Sequence, residues 1–549
     1  MQPLDRIARL CAKPGPFDEA GRAVVALLRR DFPHYNWVGL YMLEGETLVL
    51  GPWDGPQATE HLRIPVGQGV CGAAAREGQT VLVDDVNKDP RYLSCFVHTK
   101  SEIVVPIFSH GKVVGEIDID SDRRAAFNTT DRVFLEAVAR LLAGAWERTR
   151  PAGDGLKPST LCVQAGEHGP APVHPAVFPV YQAVTYEFDT MADLEAFQKD
   201  PDLDYIYTRW GNPTLDAAAT KLAALEGAEG ALLFASGMGA ISATLLTLLK
   251  AGDEIAAARD LYGGAYHLIR DILPALGIRV RWLERAEFKN LGPHLTPATK
   301  VAYFEPVTNP GLRVIDPRPV ASACRSRGVI SVVDNTFATP FNLKPLELGI
   351  DVVVHSGTKY LSGHSDVMCG VVATRRELLH RIRVTQRYLG NTSNPYEANL
   401  LSRGLKTFPL RMERHALSAR ALADALAGQP GVRQVRYPGR GDHPDHALAA
   451  EVLRSPGGMV TIEVEGGLDG AKAVVDRLSV ARRAASLGSV ETLVSIPVLT
   501  SHTGISETEL AQAGVTAGMI RISVGVEDVQ DLIGDFRMAL QGARTAMAR

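Results

Sequence analysis

The 549-residue chain is poor in cysteine, in aromatic residues and in net charge, and each shortage removes a class of function. Its six cysteines (Cys11, Cys71, Cys95, Cys162, Cys324 and Cys369) are scattered and form no Cys-x-x-Cys pair. That pattern is neither a disulfide framework nor a zinc signature, no metal site is expected, and it fits a reducing cytosol. The formal net charge is only −4 and no basic stripe is present, so neither nucleic acid nor an anionic membrane surface is an expected partner. The opening MQPLDRIARLCAKPG carries charge through what would be the apolar core of a secretion signal, so a cytoplasmic location is expected. One uncharged stretch, residues 231–249 (ALLFASGMGAISATLLTLL), is long enough to span a bilayer. Its glycines and serines cluster midway and read as a strand-to-helix turn, so it is expected inside a globular domain.

What is present is ordinary soluble composition, 46% hydrophobic and 22% charged, in a chain too long for one core. Residues 1–147 read as helix, meander, helix: RAVVALLRRDF has helical spacing, WVGLYMLEGETLVLGPW and SEIVVPIFSHGKVVGEIDID read as strand pairs turning at EGE and SHG, and TTDRVFLEAVARLLAGAWE closes as a helix. An antiparallel sheet with flanking helices follows. Residues 148–160 (RTRPAGDGLKPST) have linker composition. Beyond them, over 161–400, short apolar strands (GALLFA, EIAAA, KVAYFEP, VISVVDN, DVVVHS) alternate with helical segments, which predicts a large α/β domain on a parallel sheet. Residues 401–549 read as a smaller α+β domain.

The chemistry concentrates at the predicted strand ends, where α/β sheets bind ligands. Lys359 follows DVVVHSGT, Asp334 closes VISVVD, Asn309 follows VAYFEPVT, and Gly237 and Met238 follow ALLFAS at a helix start. A lysine amine, a carboxylate and an anion cradle are what pyridoxal phosphate requires: an anchor for its aldehyde, a partner for its ring nitrogen and a seat for its phosphate. Lys359 and Asp334 can supply the first two. The backbone of SGMG, with the hydroxyls of Ser356 and Thr358, can supply the third.

Several motifs in order (YIYTRWGNPT, ASGMGA, DLYGGAYH, FEPVTNPGLRVID, VVDNTFATP, DVVVHSGTKYLSGHSDVMCGVV, RGLKTFPLRM, SLGSVETL, IRISVGVED) resemble the Cys/Met metabolism family of PLP enzymes, the trans-sulfuration enzymes, over about residues 160–545. The resemblance implies that Lys359 anchors the cofactor and shuttles protons, that Asp334 pairs with the ring nitrogen, and that Tyr262 stacks on the ring and assists proton transfer. It places the phosphate on Gly237, Met238, Ser356 and Thr358, with Tyr207 and Arg209 reaching a neighbouring subunit's phosphate, so a homo-oligomer, a dimer of dimers, is implied. Arg521 would take the substrate carboxylate, with Ser486 and Asn309 beside it. The implied reaction is C–S cleavage or γ-replacement on cystathionine or a homoserine ester. Three positions depart from the family: Gly264, where methionine γ-lyases carry cysteine and which therefore points away from methionine; Ala265 in place of a threonine; and Ser489 in place of a glycine.

The N-terminal stretches NWVGLYMLEGETLVLGPWDG, RIPVGQGVCG, SEIVVPI and GEIDIDS resemble GAF domains of the free methionine-(R)-sulfoxide reductase type. That resemblance implies Cys95 as nucleophile, an acidic pocket of Glu102, Asp118 and Asp120 lined by Trp37 and Tyr41, and an external thiol or thioredoxin as reductant, since His61 stands where a resolving cysteine is usual. A GAF domain that only senses a small ligand, regulating a methionine γ-lyase or homoserine-ester sulfhydrylase, is the alternative.

Overall fold

The computed structural model describes residues 3–12, 17–93, 96, 98–109, 112–149, 156–167, 175–188, 190–199 and 205–547. The chain divides into two compact units, Met1–Asp154 with His168–Pro175 and Val184–Tyr207, and Gly155–Glu167 with Ala176–Ala183 and Thr208–Arg549. The stretch expected to be a linker is helical at both ends, since one helix runs Thr129–Thr149 and the next, Pro158–Gln164, starts with proline at a position that needs no N–H.

The first unit is built on a six-stranded antiparallel sheet. Its strands are β1 (Trp37–Glu44), β2 (Thr47–Asp54), β3 (Arg63–Pro65), β4 (Val81–Val83), β5 (Ser101–Ser109) and β6 (Lys112–Ser121), in the order β3-β2-β1-β6-β5-β4. Both expected strand pairs form. The tip of the second, His110 and Gly111, lies outside the described residues, as does Cys95. Alternation along β6 sorts its two faces. Ile117 and Ile119 join Val38, Leu40, Ile103 and Val105 against the helices Phe17–Asp31 and Thr129–Thr149. Glu116, Asp118 and Asp120 point to the opposite face, paired across β1 with Tyr41, Gly39 and Trp37. The helix Gly69–Glu77, which carries Cys71, packs on that second face.

The second unit contains a seven-stranded sheet: β7 (Gly230–Phe234), β8 (Glu254–Ala258), β9 (Arg279–Leu283), β10 (Thr299–Phe304), β11 (Ile330–Asp334), β12 (Val352–Ser356) and β13 (Gly370–Thr374), ordered β7-β13-β12-β11-β10-β8-β9. It is not purely parallel as expected: β13 runs antiparallel to both β12 and β7. The reason is local. Residues 357–369 fold as turns around Lys359 rather than as a crossover helix, and a chain without a crossover returns antiparallel. The remaining strands run one way, so the carboxyl ends of β7, β8, β10, β11 and β12 share one rim. The uncharged stretch 231–249 breaks at Ala235 and Ser236 into β7 and the helix Gly237–Leu248. No helix among the described residues is long and apolar enough to cross a membrane.

A smaller five-stranded sheet follows, β14 (Val432–Arg436), β15 (Met459–Val464), β16 (Arg482–Arg483), β17 (Leu493–Ser495) and β18 (Met519–Ser523), ordered β14-β15-β18-β17-β16. On β18, Ile520 and Ile522 enter the small domain's core. Arg521, between them, faces the other way, toward the rim of the large sheet.

Candidate functional site

Lys359 sits in the tight turn after β12, its N–H donating to Ser356 O (3.1 Å) and its carbonyl accepting from Gly363 (2.8 Å). The amine donates to Ser486 Oγ at 2.8 Å, a contact that joins residues 127 positions apart. Burial, reinforced by the nearby Arg521 guanidinium, pushes the amine down to about 8. A lysine held there keeps a substantial neutral fraction near neutral pH, and the neutral form is the nucleophile.

Two buried carboxyls and two tyrosines crowd the ends of β8, β10 and β11. Asp334 accepts at Oδ1 from the N–H (3.0 Å) and hydroxyl (2.5 Å) of Thr336. Burial raises it, opposed by those two bonds, by His355 on β12 and by the Tyr303 hydroxyl. His355 is in turn held through Nε2 at 2.5 Å by the buried Glu226. Glu305, which the sequence reading missed, is fully enclosed. Burial and then the Asp334 charge push it well above the usual carboxylate range. Its Oε1 accepts from the backbone N–H of Tyr262 at 2.6 Å, so this one carboxyl fixes the segment that presents the tyrosine ring. Because burial favours the uncharged form and glutamine keeps an acceptor oxygen for the Tyr262 N–H, Glu305→Gln should keep kcat within about threefold, while Glu305→Ala, which leaves that N–H without its acceptor, should lower kcat about 10- to 100-fold. Steady-state kinetics on the two variants checks this.

On the phosphate side, the helix Gly237–Leu248 begins with Ser236 accepting from Gly239 N at 3.0 Å. A Cβ added to Gly237 would lie 2.9 Å from Ser356 Cβ, so only glycine lets the helix start abut the end of β12. Backbone N–H groups and the Ser356 hydroxyl therefore converge on one small cradle. The Thr358 hydroxyl is committed elsewhere, donating to Cys369 O (3.2 Å) and accepting from Cys369 N (3.0 Å). Met238 places its sulfur against Gly264: a Cβ at 264 would lie 3.0 Å from Met238 Sδ and 2.6 Å from Tyr262 Cε1. The glycine thus seats the Tyr262 ring. Arg209 donates to Arg387 O at 3.0 Å, and Tyr207 is exposed in the first unit.

Arg521 is buried, and its contacts are all to neutral oxygens: Nη1 donates to Asn309 Oδ1 (3.1 Å) and Nη2 to Ser486 O (3.2 Å), while Nε has no partner. Burial pulls the guanidinium down to about 10, which still leaves it charged. A buried cation with an orphaned N–H and no carboxylate is a seat for an anion. Asn309, Ser486, Arg521 and Lys359 are thereby linked in one chain of contacts. A second group missed from sequence is His502, a buried imidazole near Arg521 that burial pushes down to about 4; its Nδ1 meets Ser501 Oγ at 2.9 Å and its Nε2 has no partner. The Ser489 hydroxyl is turned to Glu491 and Gly363 O, and Ala265 is in the core.

The first unit holds a different constellation. Glu102 on β5 pairs with Asp120 on β6, and Asp118 and Glu116 follow at two-residue spacing, all four buried on one face. Trp37 and Tyr41 flank them from β1; the Tyr41 hydroxyl donates to His61 O at 2.8 Å. Glu116 was not anticipated, although its alternation in GEIDID with Asp118 and Asp120 announces it. Burial raises all four carboxyls, Asp118 to about 7 and the others well above their ordinary range. Acids whose folded pKa is raised stabilise the fold where they are protonated. The Asp118 contribution is therefore complete near pH 4 and lost as pH rises through about 7. Thermal unfolding of the first unit, followed by tryptophan fluorescence, should show Tm rising as pH falls from about 7 toward 4, with Asp118→Asn flattening that slope.

The Cys/Met metabolism PLP-dependent enzyme family matches residues 159–541, and the GAF domain matches residues 16–146. Over 379 residues the chain is 40% identical to an L-methionine gamma-lyase of Pseudomonas putida, covering 69% of this chain and 94% of that one. It is 36% identical over 387 residues to a cystathionine gamma-lyase of Bacillus subtilis, covering 70% and 100%. Among solved structures, a putative O-acetylhomoserine (thiol)-lyase of Campylobacter jejuni containing N'-pyridoxyl-lysine-5'-monophosphate superposes with a TM-score of 0.68 at 30% identity, over 70% of this chain and 100% of that one. The second unit therefore has the fold-type I architecture of PLP enzymes, behind an N-terminal GAF domain. The cofactor is pyridoxal phosphate, which the glycine-lined cradle, the buried Asp334 and the lowered Lys359 amine fit.

Proposed function

The chain belongs to the Cys/Met metabolism PLP-dependent enzyme family, and from that membership we propose that its C-terminal part is a lyase cleaving the carbon–sulfur bond of a sulfur amino acid. The observation that carries this reading is the line Lys359–Ser486–Arg521–Asn309, a reactive amine beside a buried cation that lacks an anion. When bound, pyridoxal phosphate stabilises negative charge at the substrate's Cα. Lys359 would hold its aldehyde end, Asp334 its ring nitrogen, Tyr262 its ring face, and Gly237, Met238 and Ser356 its phosphate, with the Thr358 hydroxyl tied to Cys369 beside them. Arg521 then fixes the substrate carboxylate through paired N–H groups, assisted by Asn309. Lys359, oriented by Ser486 and neutral in part, takes the Cα proton and returns protons along the side chain, so that sulfur can leave as a thiol. Water must finally release a 2-oxo acid and ammonia. Capture by an incoming thiol instead would give γ-replacement.

The similarity to a methionine γ-lyase brings methionine back as a candidate beside cystathionine, despite Gly264. A panel decides: cystathionine, cysteine, methionine and O-acetyl- or O-succinylhomoserine, with and without a thiol. Formation of 2-oxobutyrate marks γ-elimination, pyruvate marks β-elimination, and a new thioether without 2-oxo acid would replace the lyase reading with a transferase. Large exposed side chains on consecutive helices (Tyr388, Tyr396, Leu410, Leu417) and beside the Lys359 turn (Met368) support a homo-oligomer, in which Tyr207 and Arg209 would serve a neighbouring subunit.

For the GAF domain we propose reduction of free methionine-(R)-sulfoxide. The supporting feature is the buried acidic face, suited to an ammonium group, beside Trp37 and Tyr41. The Cys95 thiolate would attack the sulfoxide sulfur, methionine would leave, and the cysteine would keep the oxygen as a sulfenic acid. Two equivalents of external thiol, or a thioredoxin, would return it to the thiol with release of water and a disulfide. Methionine formation from the (R)-sulfoxide with dithiothreitol, lost in Cys95→Ser, is the expected result. Binding without reduction would make the domain a sensor.

A further inference from the structure

The acidic face of the first unit contains a thiol as well as carboxylates. The Cys71 Sγ, a Glu102 carboxylate oxygen and an Asp118 carboxylate oxygen all lie within 4.8 Å of one another, and each residue is buried. Cys71 Sγ stands 3.9 Å from Glu102 Oε1. In a tetrahedral zinc site, with Zn–S near 2.3 Å and Zn–O near 2.0 Å, sulfur and oxygen ligands are about 3.5 Å apart, so a side-chain adjustment of a few tenths of an ångström closes this pair on an ion. A second observation lies outside the triad. Glu116, next along the same face of β6, is fully buried, its carboxylate oxygens have no N–H or hydroxyl donor among the described residues, and the Cys71 thiol is near enough to act on it. The unpartnered oxygens of Glu102 and Asp118 add to this, and no lysine, arginine or histidine side chain is hydrogen-bonded to any of the four carboxyls among the contacts described.

We propose that Cys71, Glu102 and Asp118 form a binding site for a thiophilic divalent cation of the zinc class, with Glu116 or a water as fourth ligand. Geometry and donor type choose the ion. Two strands and one helix supply three ligands without any loop having to form, as a preorganised site requires. A thiolate excludes magnesium and calcium, which take oxygen donors in larger shells, whereas one sulfur with carboxylate oxygens in a four-coordinate arrangement suits zinc. Binding releases to solvent the thiol proton and any proton held by the two carboxyls, so no oxidant or reductant is consumed. The ion would occupy the carboxylates to which the proposed ammonium substrate binds, and so would inhibit the reductase competitively. That regulatory part rests on the reading of the acidic face as an ammonium site; the metal site itself does not.

The test uses the full-length chain with its cofactor, stripped of metal by a chelator, and Co2+ as a spectroscopic stand-in for Zn2+. One equivalent should produce visible d–d bands of tetrahedral intensity together with a thiolate-to-cobalt charge-transfer band. Both should disappear on adding one equivalent of Zn2+. The charge-transfer band should be lost in Cys71→Ser, with affinity lowered about 100-fold in Asp118→Asn; tryptophan fluorescence shows whether each variant keeps the fold. No band, or a band that survives Cys71→Ser, overturns the proposal. Norleucine, an amino acid with no leaving group for the second unit to eliminate, separates the two parts. Displacement of Co2+ by norleucine supports both, while a cobalt spectrum unchanged in excess norleucine leaves the metal site standing and removes the ammonium reading.

Discussion

Replacing Lys359 with alanine should lower turnover by at least about three orders of magnitude on whichever sulfur amino acid the chain prefers, because the residue is both anchor and proton carrier. Removal of the side chain leaves the turn intact, since the turn is closed by backbone bonds from Lys359 N to Ser356 and from Gly363 N to Lys359 O. Unfolding temperature should therefore hold while activity is lost. Borohydride treatment should fix the cofactor covalently to the peptide containing Lys359 in the unaltered protein and to none in the variant, which separates loss of the anchor from loss of the cofactor site. The pH dependence follows from the amine being pushed down to about 8. Cofactor-free protein should capture pyridoxal phosphate faster as pH rises through about 8, because only the neutral amine attacks. A midpoint near the ordinary lysine value would show that burial and Arg521 do not act on this amine as described.

Much of this site was legible because each group closes a short apolar strand. The runs VISVVD and DVVVHS announce β11 and β12, and the rule that ligands gather at strand ends brings Asp334 and Lys359 together without any contact being known. In the N-terminal domain the family resemblance named Asp118 and Asp120, whereas Glu116, which the alternation in GEIDID puts on the same face, lay outside that resemblance and was not anticipated. Other features had no local signal. The reversal of β13 depends on what residues 357–369 do instead of forming a helix, and composition does not reveal that. Glu305 acts through the backbone N–H of Tyr262, 43 positions away, and the commitment of Thr358 to Cys369 is set by the packing of β13 against β12. The orientation of the Ser489 hydroxyl is likewise set by tertiary contacts, since Glu491 and the Gly363 carbonyl hold it.

Arg521 carries the second large expected effect. It comes from the small domain's β18, and Asn309 from the loop after β10, 212 positions apart, so the anion seat exists only once the two sheets have packed. Arg521→Ala should reduce kcat/KM by about a thousandfold, the loss of a paired, charge-assisted contact of roughly 4 kcal/mol. Most of that should be in KM, since the carboxylate is bound in ground state and transition state alike. Arg521→Lys restores the charge but not the fork of donors, and should recover no more than about tenfold. Binding of a non-reacting amino acid such as norleucine, measured by its perturbation of the cofactor's visible absorbance, should weaken in parallel. The opposing case is also measurable. If the guanidinium served only to tie Asn309 to the Ser486 carbonyl, both variants would lower the unfolding temperature and leave KM near its original value. The unpartnered Nε argues against that, because a purely structural arginine, buried at such cost, would be expected to have its donors filled by the protein itself.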